Sequence, residues 1–344
     1  MVAPQSNFVE RIPGLVSVVI PAFNARKSVR RAIDAALNQT YPHVEVIVVN
    51  DGSTDDTESI VQSYGDRVRY VRQENAGETA ARNRGFSMAR GEFITLVDHD
   101  DWWEPQFVQT CVSFLNEHPE AVAVSTAHDH QTALKEGVHT RPAYLSNGAA
   151  PSPSKPREPI VLQRFFDFWH EHDHICAGSA MLRGSLIDAA GGQRTDLVLS
   201  GDMEYWAYLA TFGKWGFVPT ILLHVDGTQI ARGKLYEKFY NRFRRVASVE
   251  SWEKRIIGRL DPADRAGFEK VRGRVANGYV FAKVFVGRDR EARDTARAYA
   301  KDLEGKFGQL WRLGLTAGTL SWAPLCRIVR MRTRVQYYLA GRKL

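Results

Sequence analysis

Phe93-Ile94-Thr95-Leu96-Val97-Asp98-His99-Asp100-Asp101 is the stretch whose reading decides the fold. Its apolar and β-branched start has the composition of a buried strand, and it runs straight into three carboxylates within four positions. Carboxylates crowded at the end of a buried strand are costly unless something cationic sits among them. In an open α/β sheet, ligands bind at the carboxyl ends of the strands. A divalent cation holding a phosphate-bearing substrate would neutralise this cluster.

Two earlier runs end in the same chemical style. Val16-Ser17-Val18-Val19-Ile20 leads into Pro21-Ala22-Phe23-Asn24, and Val44-Glu45-Val46-Ile47-Val48-Val49 leads into Asn50-Asp51-Gly52-Ser53-Thr54-Asp55. Turn formers close each run and a helical pattern follows. Helices are expected over Ala25–Gln39, with Val29, Ala32, Ile33, Ala36 and Leu37 on one face, and over Thr57–Tyr64, Thr79–Ala89 and Phe107–His118. Thr54-Asp55-Asp56 supplies oxygen side chains for a helix start, and Val68–Val71 reads as a third strand. Strand and helix alternate, so the expected class is α/β with a mostly parallel sheet. Asn24, Asp51 and the Asp98–Asp101 acids would then gather along one edge.

Composition bounds the rest. The chain has 344 residues, 44% hydrophobic and 25% charged, as expected of a soluble globular protein with room for one large α/β domain plus extra elements, or for two domains. Cys111, Cys176 and Cys326 form no CxxC pair, which argues against a disulfide framework and a structural zinc site. The net charge is +7, but eight of the 46 Lys/Arg lie in residues 305–344, which hold no acid. The first 304 residues therefore carry 38 basic and 39 acidic groups, which weakens any nucleic-acid reading. No secretory signal is visible over Met1–Gly14, and no stretch reaches the roughly 18 apolar residues of a spanning helix. A cytoplasmic chain is expected, and Asn38-Gln39-Thr40 reads as an accidental sequon.

Five blocks carry a family resemblance: Ser17–Asn24, Val49–Asp55, Asn75-Ala76-Gly77, Ala81-Arg82-Asn83-Arg84-Gly85 and Leu96–Asp101. In that order, over about a quarter of the chain, they resemble the family 2 glycosyltransferases, inverting enzymes of the GT-A fold. The resemblance implies a Rossmann-like sheet flanked by helices. It implies that Asp51 binds the base of a sugar nucleotide beside Pro21, Ala22, Phe23, Asn24 and Gly77. It implies that Asp98 and Asp100 form the DxD pair, with Asp98, His99 and Arg82 at the donor and Asp100 at a metal. Mn²⁺ or Mg²⁺ suits this role, because hard cations take one or two carboxylates and complete their shell with phosphate and water. A second region, Ala177–Arg183 followed by Gly191-Gly192, resembles the approach to the acceptor-side acid, Asp202 in Ser200-Gly201-Asp202-Met203-Glu204. Relatives carry Glu-Asp there and this chain has Gly201-Asp202, which leaves Asp202 as the implied general base. His224 in Leu222–Thr228 sits where relatives carry a diphosphate-closing element, and is a further metal or diphosphate candidate.

Other stretches carry less. His170-Glu171-His172-Asp173-His174 could ligate zinc, but a polar loop or helix end is the favoured reading. The proline-rich Asn147–Pro159 reads as a loop, a lid or an acceptor-specific insertion. Beyond residue 232 the pattern is helical, over Lys238–Ile257, Ala263–Val286 and, broken at Pro324, Leu310–Leu339. The alternating basic and apolar residues of Arg327–Leu339 suit an anionic membrane interface, with an ordinary packing helix or a dimer contact as the alternative.

The expected organisation is a GT-A domain over residues 1–232, with a donor half at 15–105 and an acceptor half at 106–232, and a helical, basic C-terminal extension over 233–344. The expected activity is non-processive, inverting transfer of a sugar from a nucleoside-diphosphate-sugar donor to a hydroxyl of a glycan or lipid-linked acceptor. Surface polysaccharide synthesis at the cytosolic face of a membrane would fit the tail. The alternatives are a catalytically silent sugar-nucleotide binder or membrane assembly protein, and a nucleotidyltransferase. The last would want a Gly/Lys/Arg-rich triphosphate loop that Pro21–Asn24 does not supply.

Overall fold

The computed structural model describes residues 10–130, 156–172, 174–226, 235–316 and 319–340. Most of Asn147–Pro159, together with Asp173, lies outside the described residues. The chain forms two compact units, one of Met1–Gln193 with Tyr208–Thr228 and one of Arg194–Ala207 with Gln229–Leu344. The sequence pattern alone divides the chain after residue 232, whereas Arg194–Ala207 groups with the helices because its carbonyls and Glu204 bond to them.

The first unit is a mixed sheet. Four parallel strands, β1 (Ile12–Ala22), β2 (Val44–Asp51), β3 (Val68–Gln73) and β4 (Gly91–Leu96), lie in the order β3-β2-β1-β4. The sheet continues through β8 (Ala180–Arg183), β6 (Ala121–His130), β9 (Lys214–Val225) and β5 (Trp102–Trp103), with β7 (Ile160–Val161) paired to β9. β8 runs antiparallel to both β4 and β6, so the parallel register breaks just beyond the acid-bearing strand.

β1, β2 and β4 are covered on both faces, which is why they read as largely apolar runs, whereas β3 lies at the edge and is only partly buried. Val16, Val18, Val19 and Ile20 are wholly buried. Helix α1 (Val29–Leu37) buries Val29, Ala32, Ile33 and Ala36, the stripe expected from their spacing. Helix α2 (Thr57–Gln62) is shorter than expected, because a 3-10 turn takes over at Gly65–Arg67. Helix α3 (Glu78–Met88) is rich in small residues because it lies hard against β1: a Cβ on Gly85 would sit 2.2 Å from Val19 Cγ1. Helix α4 (Phe107–Glu117) buries Phe107, Val108, Cys111, Val112, Phe114 and Leu115. Helices α5 (Phe165–His172) and α6 (Gly184–Ala190) complete the unit.

The second unit is helical: α7 (Gly201–Leu209, its last residues in the first unit), α8 (Leu235–Phe243), α9 (Val249–Ile257), α10 (Arg265–Phe285), α11 (Asp289–Ala298), α12 (Gly305–Thr316) and α13 (Thr319–Ala340). Trp252, stacked on Phe268 at 5.9 Å, and the buried Tyr279, Trp311 and Trp322 anchor its core. The single helix expected over Lys238–Ile257 is two, since Ser248 caps a new helix by accepting the Ser251 amide at 3.1 Å. Pro324 lies inside α13 rather than ending it. Among the described residues no helix is long and apolar enough to cross a membrane.

Candidate functional site

The carboxyl ends of β1, β2 and β4 are adjacent, and their turns are bonded to one another. After β1, Asn24 adopts φ of 50°, a left-handed turn that Asn tolerates better than most residues. Its amide donates to Ser53 Oγ at 2.9 Å and its side-chain oxygen accepts the Thr54 amide at 2.9 Å. The Ala25 amide donates to Thr57 Oγ1 at 2.7 Å, so the β1 and β2 turns are stitched together. Pro21 and Ala22 are buried beneath this turn, and the Phe23 ring is 45% exposed at its tip.

Asp51 ends β2 and is buried. Its Oδ1 accepts the Ala76 amide at 2.9 Å and Gln73 Nε2 at 2.8 Å, while Oδ2 accepts the Gly77 amide at 2.8 Å. The carboxylate thus holds the amino end of α3, where negative charge is favoured. Gly52 is required beside it: φ is +74°, and a Cβ there would meet the Asn75 amide nitrogen at 2.8 Å.

The turn after β4 is closed by the Asp101 amide donating to the Asp98 carbonyl at 3.0 Å. Arg82, on α3 and almost wholly buried, donates to Asp98 Oδ1 at 2.7 Å and also pairs with Glu78. His99 Nδ1 lies 2.9 Å from Ser28 Oγ. Burial first, and then the charges of Asp98 and Asp100, push the Asp101 carboxyl up to about 8. Asp100 is also raised, by burial before the Asp98 charge. Crowded acids that resist ionisation mark a place where a cation would be stabilising.

Arg31 of α1 braces this loop. Its Nη2 donates to the Asp100 carbonyl at 2.5 Å and to Asp226 Oδ2 at 2.7 Å, and its guanidinium lies 4.1 Å above the Trp102 ring. Trp102 stacks in turn on His224 at 5.2 Å. Neither Arg31 nor Trp102 stands out in the sequence, since a lone Arg on an amphipathic helix and a Trp after an acid run carry no pattern.

His224 sits on β9 opposite Trp102. Its Nδ1 faces Asp129 Oδ1 at 2.8 Å and its Nε2 faces Glu104 Oε1 at 2.7 Å, so both ring nitrogens point at carboxylates. A metal at His224 would have to displace one of them. Among the described residues no three His, Cys, Asp or Glu side chains form a closed metal cage. The Asp98–Asp101 acids instead fit an open site for a hard cation, where one or two carboxylates bind and phosphate and water complete the shell.

Asp202 belongs to the second unit. It lies in the first turn of α7 and is exposed, its Oδ1 accepting the Met203 amide at 2.9 Å. Glu204 is wholly buried and clasped by Arg255 through Nε at 2.5 Å and Nη2 at 2.7 Å. Burial raises its carboxyl and Arg255 opposes the rise. Of the two acids, Asp202 is the one open to a substrate.

In the His170–His174 segment, α5 ends at His172, while His174 is wholly buried. Its Nδ1 lies 2.7 Å from Ser125 Oγ and its ring contacts Phe165, Phe168 and Phe217.

The model of glycosyl transferase family 2 matches residues 17–189. An uncharacterized glycosyltransferase of Rickettsia typhi is 45% identical over 102 residues, 30% of this chain and 32% of that protein. Glycosyltransferase GlyA of Streptococcus pneumoniae is 38% identical over 112 residues, 32% of this chain and 16% of that protein. The matches therefore span a third or less of these relatives' own length. The crystal structure of S. aureus TarS 1-349 in complex with UDP superimposes with a TM-score of 0.52 at 16% identity, over 89% of this chain and 92% of that one. At that identity the likeness shows the fold alone, a GT-A arrangement.

Proposed function

For a chain that belongs to glycosyl transferase family 2, we propose inverting transfer of a sugar from a nucleoside-diphosphate-sugar donor to a hydroxyl of a glycan or lipid-linked acceptor. The observation that carries this reading is the joining of three strand ends: the Asn24 turn, Asp51 bonded to the Gly77 amide, and the Asp98–Asp101 acids with Arg82. The nucleotide base would lie against Pro21, Ala22, Phe23 and Asn24, with Asp51 and Gly77 on its polar edge. Asp98 and His99 would face the ribose and diphosphate, and Arg82 would hold Asp98 in place.

Asp100, with Asp98, would hold Mn²⁺ or Mg²⁺, with His224 as a further candidate ligand. Such a cation supplies charge neutralisation for the departing diphosphate. Asp202 would take the proton from the acceptor hydroxyl, which is a weak nucleophile until a carboxylate within hydrogen-bond reach accepts it. TarS, whose fold this chain shares, has been crystallised with UDP-GlcNAc, and the Pasteurella multocida relatives include a chondroitin synthase, 40% identical over 126 residues, 36% of this chain and 13% of that protein. These support a role in polysaccharide synthesis.

The second unit would lie on an anionic membrane at the cytosolic face. Phe307 and Leu313 on α12, and Ile328 and Met331 on α13, are more than half exposed. Exposed Arg312, Arg327 and Arg332 stand among them, the combination that suits a headgroup interface.

A silent donor binder is the second reading, favoured by Gly201 where relatives carry an acid. The test is a thermal-shift panel of UDP-, GDP- and dTDP-sugars with and without Mn²⁺, followed by donor turnover. A ligand that binds only the folded state raises its melting point. Metal-dependent stabilisation by one nucleotide, lost in Asp100→Ala, with turnover lost in Asp202→Asn, is expected. Stabilisation without turnover would favour the silent binder. No shift with any of them would refute the donor site.

A further inference from the structure

The segment leading into α7 is held in an unusual way. Ser200 has φ of 57°, a left-handed conformation that costs a non-glycine residue energy and persists only where the surroundings impose it. The carbonyls of Val198, Leu199 and Ser200 each accept a bond from a different helix. Arg242 Nε of α8 donates to Val198 at 2.9 Å, the Tyr279 hydroxyl of α10 to Leu199 at 2.9 Å, and the Trp252 indole N–H of α9 to Ser200 at 3.0 Å. Just upstream, Arg194 Nη2 reaches Ser251 Oγ of α9 at 3.0 Å. Just downstream, Arg255 of α9 grips Glu204 with two bonds. Asp202 lies between these anchors with its own carboxylate exposed.

Carbonyls of an ordinary surface turn are satisfied by water. Three successive carbonyls taken by side chains of three helices mean that this turn is fixed from outside itself. The cost of the Ser200 conformation has a purpose if it aims the next acid along. We propose that the helical unit is a positioning scaffold for Asp202: Arg242, Trp252 and Tyr279 impose the Val198–Ser200 turn, Arg255 pins Glu204, and the acid between them is presented in one orientation to the acceptor hydroxyl. The inference rests on Asp202 as the base. None of these four residues touches substrate in this account; they act through Asp202. A general base displaced by about 1 Å can lose on the order of a hundredfold in rate, so such bracing has catalytic value.

The test uses the full chain and the variants Tyr279→Phe and Trp252→Phe, which remove one donor each and keep a ring in place. Hydrogen exchange over residues 198–204 reads the turn directly and needs no substrate. Release of nucleotide from UDP-GlcNAc, UDP-glucose and GDP-mannose with Mn²⁺ reads the chemistry. There water adds to the anomeric carbon as the bond to the diphosphate breaks, and its proton passes to Asp202. Faster exchange in the turn is expected in both variants, with kcat down about tenfold, donor KM unchanged, and no further loss when either is combined with Asp202→Asn. Unchanged exchange in both variants overturns the proposal. So does a rate loss that persists in full in the Asp202→Asn background. Full turnover in Asp202→Asn alone overturns the base assignment itself, and the scaffold's catalytic purpose falls with it.

Discussion

Asp51 offers the sharpest test of how the donor side is built, because one carboxylate is doing two things. Within the fold it accepts three bonds, from Gln73 Nε2 at 2.8 Å, the Ala76 amide at 2.9 Å and the Gly77 amide at 2.8 Å. Hydrogen bonds to a charged acceptor contribute about 1.5–3 kcal/mol each in a buried setting. Ala76 and Gly77 are exposed, so their freed amides would find water, and the lower end of that range applies to both. Loss of the negative charge at the amino end of α3 adds about 0.5 kcal/mol. Together these give about 3.5 kcal/mol for Asp51→Ala before the Gln73 bond is counted, a fall of about 5 °C in the melting point at the sensitivity of a chain this size.

Asp51→Asn separates the shape of the side chain from its chemistry. Whichever way its amide turned, an N–H₂ group would face a backbone N–H: Gly77 in one orientation, Ala76 in the other. Its cost should be about 1.5 kcal/mol, since one acceptor survives. Gly77→Ala is the control. A Cβ there meets nothing within 4 Å, so only the φ of +93° is strained, at about 1–2 kcal/mol. Differential scanning fluorimetry of the three variants, with and without UDP and Mn²⁺, reads stability and binding together. A melting point for Asp51→Ala within about 1 °C of the parent would refute the reasoning, because the bonds at these distances would then be contributing nothing.

Three further outcomes are expected. Gly85→Ala should lose about 2 kcal/mol by overpacking against Val19, since its Cβ would lie 2.2 Å from Val19 Cγ1; urea denaturation should show partial recovery in the Gly85→Ala, Val19→Ala pair and not in Val19→Ala alone. Glu45 has its carboxyl held below 4.5: burial pushes it up, but the Ser17 hydroxyl, the Arg90 amide and the guanidinium groups of Arg69 and Arg90 outweigh burial. Its contribution to stability is thus complete above that value and lost as pH falls through the folded pKa, so the melting point of Glu45→Gln should depend less on pH between about 5 and 3 than that of the parent. The second unit should co-sediment with phosphatidylserine vesicles and not with neutral ones, and Leu313→Glu with Met331→Glu should weaken this at least about tenfold; equal binding to neutral vesicles would refute an electrostatic contact.

The parallel half of the sheet was legible because its physics is local and one-dimensional. A strand buried on both faces must be apolar throughout, and its end must turn. Val16–Ile20 before Pro21, and Val44–Val49 before Asn50, therefore announce the elements, though β1 spans Ile12–Ala22 and β2 runs on to Asp51, past the turn formers that were expected to close them. The α1 stripe reads out in the same way from the spacing of Val29, Ala32, Ile33 and Ala36. Strands β5 and β7, at two residues each, are shorter than any pattern can register. The antiparallel entry of β8 between β4 and β6 depends on pairing across 86–90 residues to β4 and 55–59 residues to β6, which periodicity does not encode.

The site divides along the same line. The acids after β4 announced themselves because clustered charge is visible in sequence, and Asp51 stood out as part of a turn. What holds them is not visible: Arg31 earns its place by reaching at once the Asp100 carbonyl, Asp226 and the Trp102 face, three partners from distant parts of the chain. The Val198–Ser200 turn is the extreme case. Its donors come from Arg242, Trp252 and Tyr279, residues whose helical surroundings read as ordinary packing. The carbonyls they bind are backbone atoms, which every residue has and no sequence can mark. A sequence can show which groups carry charge and where a chain must turn. The precision with which those groups are held is set by bonds to the main chain from far away, and it becomes readable only once the fold has brought the donors to the turn.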